Sequence, residues 1–349
     1  MLAGDVSVQV LNSDAIITGD AAANNVFIQG TTVFGRNDAG GVATNINGVP
    51  NGSFDFSAFT RDLIVQTDAG GDVVEISGVT VPRQLTVNTG ADTDLIQINP
   101  VAYSANLRTL LQGGTGSDRI LINGQATSLG SNLPLHRTSL LVIDGNTGND
   151  EIRVNDILTD QITIDMGFDA DLAEVKFAIV NGVAQINGWH GYDFISVDTC
   201  YIRTASINPN AHQGSIHVRN SYFLNTLAVT TASQNDFISV EGTRVDVTTA
   251  INTNELLPND VSQDYILIKS SALGVVQIDT GGGSDRVEVE ASAIGEFYAN
   301  LAEDADWLIL SNSAFQRAVQ ADGGSGFDLF TSRGNILNGS SFNGFEAFS

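Results

Sequence analysis

Apolar residues in this chain alternate with polar ones in short runs, and the runs recur at a fixed interval. The clearest copy is Val276 to Glu290, VQIDTGGGSDRVEVE. Two apolar residues two apart lead into a glycine turn, the turn closes on Asp285, and Val287 and Val289 follow. The same order recurs at LTVNTGADTDLIQI from Leu85, ITIDMGFDADLAEV from Ile162 and VQADGGSGFDLF from Val319. With the closing aspartate as an anchor, the copies fall at Asp72, Asp94, Asp118, Asp150, Asp171, Asp193, Asp236, Asp264, Asp285, Asp306 and Asp328. The double-length step after Asp193 holds one degenerate turn at Gly214, after which most steps are 21 or 22 residues and the exceptions are 24, 32 and 28.

Positions two and four after the anchors up to Asp306 are apolar, as in Ile96 and Ile98 or Ile238 and Val240, and the residue between them is usually polar. That alternation is the signature of a strand with one face in and one face out. A second inward pair precedes the anchor by nine and seven places (Leu63 and Val65, Ile162 and Ile164, Val276 and Ile278). A third follows it by seven and nine, its first member often small (Cys200 and Ile202, Ser221 and Phe223, Ser271 and Leu273). Three short strands per 21–22 residues describe one coil of an all-β, single-domain, right-handed parallel β-helix. Each unit is too short to bury a core alone, so the coils must stack with like positions in columns. Twelve coils at the inter-strand spacing give a rod of about 60 Å. No segment holds a helical period, and a propeller needs blades of about 40 residues or more.

Residues 1–50 are the least regular and are assigned to an N-terminal cap and first coils, with Asn25 where an anchor aspartate would fall. Residues 51–334 form the β-helix, and 335–349, aromatic and glycine-rich, a C-terminal cap over the last coil. Open solenoid ends need such covers, because a free strand edge templates aggregation. The long steps place extra residues at 103–109, 127–140 and 246–254, predicted as loops at one corner of the coil.

The formal net charge is −25, with two lysines, Lys176 and Lys269. This disfavours nucleic acid and anionic membrane surfaces as partners, and no run is apolar enough to span a bilayer. The single cysteine, Cys200, excludes an internal disulfide and occupies a column otherwise filled by Ser and Thr, so it reads as packing. Acidic, lysine-poor, Gly/Asn/Thr-rich repeats point to an extracellular or cell-surface protein. No signal peptide follows Met1, so the reading favours a chain that starts after a removed export segment.

GGTGSDRIL (from Gly113), GGSGFDLF (from Gly323) and, with one substitution, GNTGNDEIRV (from Gly145) resemble the haemolysin-type, or RTX, nonapeptide GGxGxDxUx. The wider chain is similar to secreted bacterial β-helix repeat proteins. The resemblance implies calcium held by turn carbonyls and aspartates. By position it falls on Asp118 and Asp150 with Gly113, Gly116, Gly145 and Gly148, and next on Asp328. RTX repeats run two to an 18-residue coil, whereas here one such turn serves 21–22 residues, and TASQND before Phe237 has no glycine. The alternative to a cation is that each aspartate accepts backbone N–H bonds from its own turn.

The one concentration of catalytic residue types is Trp189, His190 and Tyr192 in one turn, His212 in the next, and His217 and Arg219 on the adjoining strand. It suits a sugar face or a general base, as in polysaccharide lyases and hydrolases built on β-helices. Two histidines without a third ligand do not complete a zinc site. The function expected is therefore a non-catalytic structural or adhesive module. The alternative is a carbohydrate-active or carbohydrate-binding protein centred on those six residues.

Overall fold

The structure is a computed structural model that describes residues 4–37, 40–99, 102–103, 107–123, 136–210, 212–232, 234–253 and 262–348. It is all-β, with 0% helix and 69% strand, and its stacked parallel strands form a β-solenoid of about 12 turns. The strands fall into two compact units, residues Met1–Asn181 and Gly182–Ser349.

In the first unit the strand after each anchor pairs with its counterpart one coil on. Asn25–Gln29, Val73–Ser77, Leu95–Ile98, Arg119–Asn123, Glu151–Asn155 and Leu172–Lys176 run parallel in that order. The register puts Val26, Val74, Ile96, Ile120, Ile152 and Ala173 in one inward column. These residues are essentially inaccessible to solvent, and each large one contributes about 1.5–3 kcal/mol by leaving water. A one-residue slip would turn the whole column outward, so the pattern also fixes the register. The opposite wall is built likewise from Asp14–Thr18, Asp62–Gln66, Gln84–Ala91, Arg108–Thr115, His136–Thr147 and Ile157–Phe168.

The second unit repeats the scheme. Ile195, Ile216, Ile238, Ile266, Val287, Leu308 and Phe330 form an inward column, and Ile202, Phe223, Val245, Leu273, Ile294 and Phe315 form another. The second and third inward pairs of the sequence pattern join end to end here. Tyr201–Asn210 and Arg244–Asn252 are each one bent strand, with irregular register between Ile202 and Thr204 and between Val245 and Thr248. In the last coils they separate again, as Ala314–Phe315 and Val319–Asp322.

Among the described residues antiparallel pairing is confined to residues 4–55, where Gly4–Leu11 lies against Asp14–Thr18, Asn25–Gln29 against Thr32–Gly35, and Thr44–Ile46 against Val49–Pro50. The anchor position there belongs to Asn24 and not Asn25. Asn24 is fully buried, its N–H donates to Asp72 Oδ1 at 2.6 Å, and its carbonyl accepts the Val73 N–H at 2.9 Å. At the other end, residues 335–348 continue the coil: Ile336–Leu337, Ser340–Asn343 and Phe345–Phe348 pair in parallel with the strands before them. The Phe330 and Phe342 rings stack at 4.2 Å within it. Of the predicted loops, residues 103, 108–109, 136–140 and 246–252 are strand, 107 and 253 are not, and 104–106, 127–135 and 254 lie outside the described residues.

Candidate functional site

The glycine–aspartate turns are the most repeated chemistry in the chain, and their geometry explains the motif position by position. Two residues in each turn, four and two before the aspartate, have positive φ: Gly114 and Gly116 before Asp118, Asn146 and Gly148 before Asp150, Gly324 and Gly326 before Asp328. L side chains resist that conformation, which favours Gly, Asn and Asp there. At Gly148 the stacking adds a second reason, because a Cβ would collide with the Gly116 carbonyl of the coil below. The glycine five before the aspartate makes room for the carboxyl: a Cβ on Gly113 would lie 2.5 Å from Asp118 Oδ2.

The aspartates themselves form buried ladders. Each N–H donates to Oδ1 of the next coil's aspartate: Asp72 to Asp94 (2.7 Å), Asp94 to Asp118 (2.8 Å) and Asp118 to Asp150 (2.7 Å) in the first unit. In the second, Gly214 donates to Asp236 (2.5 Å), Asp264 to Asp285 (2.9 Å), Asp285 to Asp306 (2.8 Å) and Asp306 to Asp328 (2.9 Å). Glu346 ends the row by accepting the Asp328 N–H at 2.7 Å. Each aspartate carbonyl in turn accepts an N–H from the coil above, as Asp94 does from Arg119 (2.9 Å) and Asp118 from Glu151 (2.8 Å). The sequence places the donor in the aspartate's own turn. The structure places it one coil away, so the carboxyl joins coils instead of closing a turn.

This leaves one oxygen of each carboxyl in the interior. Oδ2 of Asp94, Asp118, Asp150 and Asp306 is buried and accepts no hydrogen bond. Burial disfavours the charged form. It pushes Asp72, Asp94 and Asp150 up to about 7 and Asp306 up to about 8, against partial relief from the Thr67 hydroxyl at Asp72, from the N–H of the preceding coil throughout, and from the Thr89 hydroxyl at Asp94. Burial raises Asp118 and Asp328 as well. A proton on Oδ2 removes the buried charge and the repulsion between rungs.

Calcium asks for more. It takes six to eight oxygens at about 2.3–2.6 Å. At Asp118 and Asp150, Oδ1 is already bonded to an N–H, and Oδ2 is closed off against Gly113 and Gly145. The turn carbonyls are committed too: Thr147 accepts the Gly116 N–H at 2.8 Å and Phe168 the Gly148 N–H at 3.2 Å. Among the described residues no three His, Cys, Asp or Glu side chains converge to hold a metal. At Asp118 and Asp150 a calcium ion would therefore have to share oxygens that already accept hydrogen bonds from neighbouring coils.

A second ladder runs through the small-residue column. Cys200 N–H donates to Ser221 Oγ (3.1 Å), Thr243 to Ser271 (3.2 Å), Ser271 to Ser292 (3.1 Å) and Ser292 to Ser313 (3.1 Å), and Asn335 Oδ1 accepts from Ser313 at 2.9 Å. Each hydroxyl donates back to the carbonyl two residues earlier, Ser271 to Lys269 and Ser292 to Glu290, both at 2.9 Å. In the sequence this column reads as small. The signal for its chemistry was that it uses Ser and Thr where Ala or Gly would also fit.

The histidine group divides. His190 and His212 meet edge to face, ring centroids 5.7 Å apart, beside the exposed Trp189 and Tyr192. Trp189 has φ of 75°, a left-handed conformation unusual for a bulky residue, at the first positive-φ position of its turn. His217 has other neighbours: its ring lies between Phe194 and Phe237 at 5.0 and 5.3 Å, and its nitrogens contact Ser215 Oγ (3.1 Å) and Arg219 Nη2 (3.0 Å). Burial, then Arg219, lowers its pKa. The aromatic row continues to Tyr265, 5.3 Å from Phe237, and Arg286 lies over both Tyr265 and Trp307.

Comparison with protein-family models, curated proteins and solved structures found no match to this chain.

Proposed function

We propose that this chain is a non-catalytic structural or adhesive module of a secreted or cell-surface protein. The observation that carries the reading is that the polar chemistry of the repeat faces inward and joins coils. The aspartates and the Ser/Thr column, the most repeated functional groups in the sequence, are rungs between neighbouring strands. What the repeat presents outward is a set of periodic columns, which suits many weak contacts along an extended partner better than one reaction centre. A net charge of −25 adds solubility and disfavours polyanions as partners. The handedness proposed for the solenoid is right-handed.

The alternative, a carbohydrate-active enzyme, is favoured by the contact of His190 with His212 beside two exposed aromatic rings. One experiment separates the two. Purified protein is incubated with a panel of soluble polysaccharides, and both retention and chain shortening are measured. The structural reading expects no shortening. Shortening that disappears in a His190→Ala/His212→Ala variant would replace it with the enzymatic one.

A further inference from the structure

The second unit carries a groove on the sheet opposite the anchor strands. Its floor is made by Arg244–Asn252, Ala272–Asp279, Ala293–Asn300, Val319–Asp322 and Ser340–Asn343, side by side and parallel. The cavity above them has a volume of about 600 Å³, within the range of ligand sites, roughly 300–1,000 Å³.

Two outward columns line it. One runs Gln277, Tyr298, Gln320 and Ser341. The other runs Asn252, Asp279, Asn300, Asp322 and Asn343, amide and carboxylate alternating coil by coil. The alternation has a physical use. It keeps like charges two strand spacings apart, about 10 Å, and lets Asn300 Nδ2 donate to Asp279 Oδ1 at 3.1 Å. Tyr298 is held in place by its own side: its hydroxyl donates to Glu296 at 2.9 Å, and Glu296 accepts from Arg317 at 3.1 Å. A fixed, half-buried ring therefore lies among amides at the middle of the floor.

We infer that this groove binds a linear, uncharged polysaccharide along the stacking direction of the coils. Four features select that ligand. Amides and carboxylates together donate and accept, as sugar hydroxyls do. A pinned aromatic ring offers a flat apolar face to a pyranose ring. Among the described residues no Lys or Arg lines the cavity, so a polyanion finds no partner there. The lining repeats with every coil, so it matches a polymer and not a single small molecule. The inference rests on the adhesive reading above and names its partner.

The test is calorimetric titration with neutral β-linked and α-linked glucan hexasaccharides, their disaccharides, an oligogalacturonate and a chitosan hexasaccharide. Products are checked by mass spectrometry. A neutral hexasaccharide should bind at least about tenfold more tightly than its disaccharide. Tyr298→Ala and a Gln277→Ala/Gln320→Ala variant should each weaken that binding about tenfold or more, while Tyr265→Ala, on the other sheet, should not. These are exposed or half-exposed positions, and circular dichroism of each variant establishes that it is folded. Binding of neither neutral glucan, undiminished binding in both groove variants, or binding of the cationic or anionic sugar alone overturns the inference. Shortened products would overturn the non-catalytic reading instead and leave the groove assignment standing.

Discussion

Replacing Asp306 with asparagine should stabilise the protein considerably more at pH 8 than at pH 5. Asp306 is 2% exposed, its Oδ1 accepts the Asp285 N–H at 2.8 Å, and its Oδ2 accepts no hydrogen bond. Burial, then the carboxyls of Asp285, Asp328 and Asp304, pushes its pKa from 3.8 up to about 8. The folded pKa is raised, so between those two values the folded state holds a proton that the unfolded chain has lost. Stability is then fullest at acid pH and falls as pH rises, by at most about 1.4 kcal/mol per pH unit for each proton held. Over three pH units the ceiling is about 4 kcal/mol, and relaxation of the turn around the charge reduces it to on the order of 2 kcal/mol. Asparagine keeps the acceptor oxygen and mimics the protonated acid, so it removes the pH-dependent part alone. Urea unfolding of both proteins at pH 5 and pH 8 measures the difference. Equal destabilisation by Asp306→Asn at both pH values would refute the reasoning.

Gly148→Ala, at φ 119° over the Gly116 carbonyl, should cost more than about 3 kcal/mol, read as a lower unfolding midpoint. A midpoint within error of wild type would mean that the coils can part there. Ser271→Ala strands the Thr243 N–H, which it now accepts at 3.2 Å, and should cost about 1–3 kcal/mol. Ser271→Thr should cost far less, since Thr243 already fills the same column. Cys200→Ser should be neutral within about 1 kcal/mol, because serine can take over the bond that Cys200 Sγ makes to the Asp198 carbonyl. His217 should titrate below a free histidine in an NMR pH series, because burial and Arg219 both disfavour its charge. A midpoint at or above the free value would remove it from between Phe194 and Phe237.

The inward columns were legible in the sequence because strand alternation and a 21–22-residue step leave little choice of register: Ile96, Ile120 and Ile152 fall in one line by counting alone. What counting cannot reach is which coil supplies a hydrogen-bond partner. The Asp118 carboxyl looks like the end of its own turn in sequence, yet it bonds the N–H of Asp94, 24 residues earlier. The run AAANNV offers two asparagines for one anchor, and the N–H contact with Asp72 selects Asn24. The glycines of GGTGSD read as a cation motif, yet positive φ and close stacking by themselves demand the same residues that calcium turns use. The groove was present in the sequence as Asp279, Asn300 and Asp322, each six places before an anchor. Outward positions carry no apolar signal, so nothing in the pattern singles these residues out.

The measurement that tests the central claim most directly is a thermal melt of the wild-type protein and of Asp118→Asn/Asp150→Asn in EDTA, in millimolar Ca²⁺ and in millimolar Mg²⁺. If the aspartates serve as hydrogen-bonded rungs between coils, the wild-type curves superimpose in all three. A rise in Tm that is specific to Ca²⁺ and lost in the double variant would contradict the account. It would make the glycine–aspartate turns cation sites.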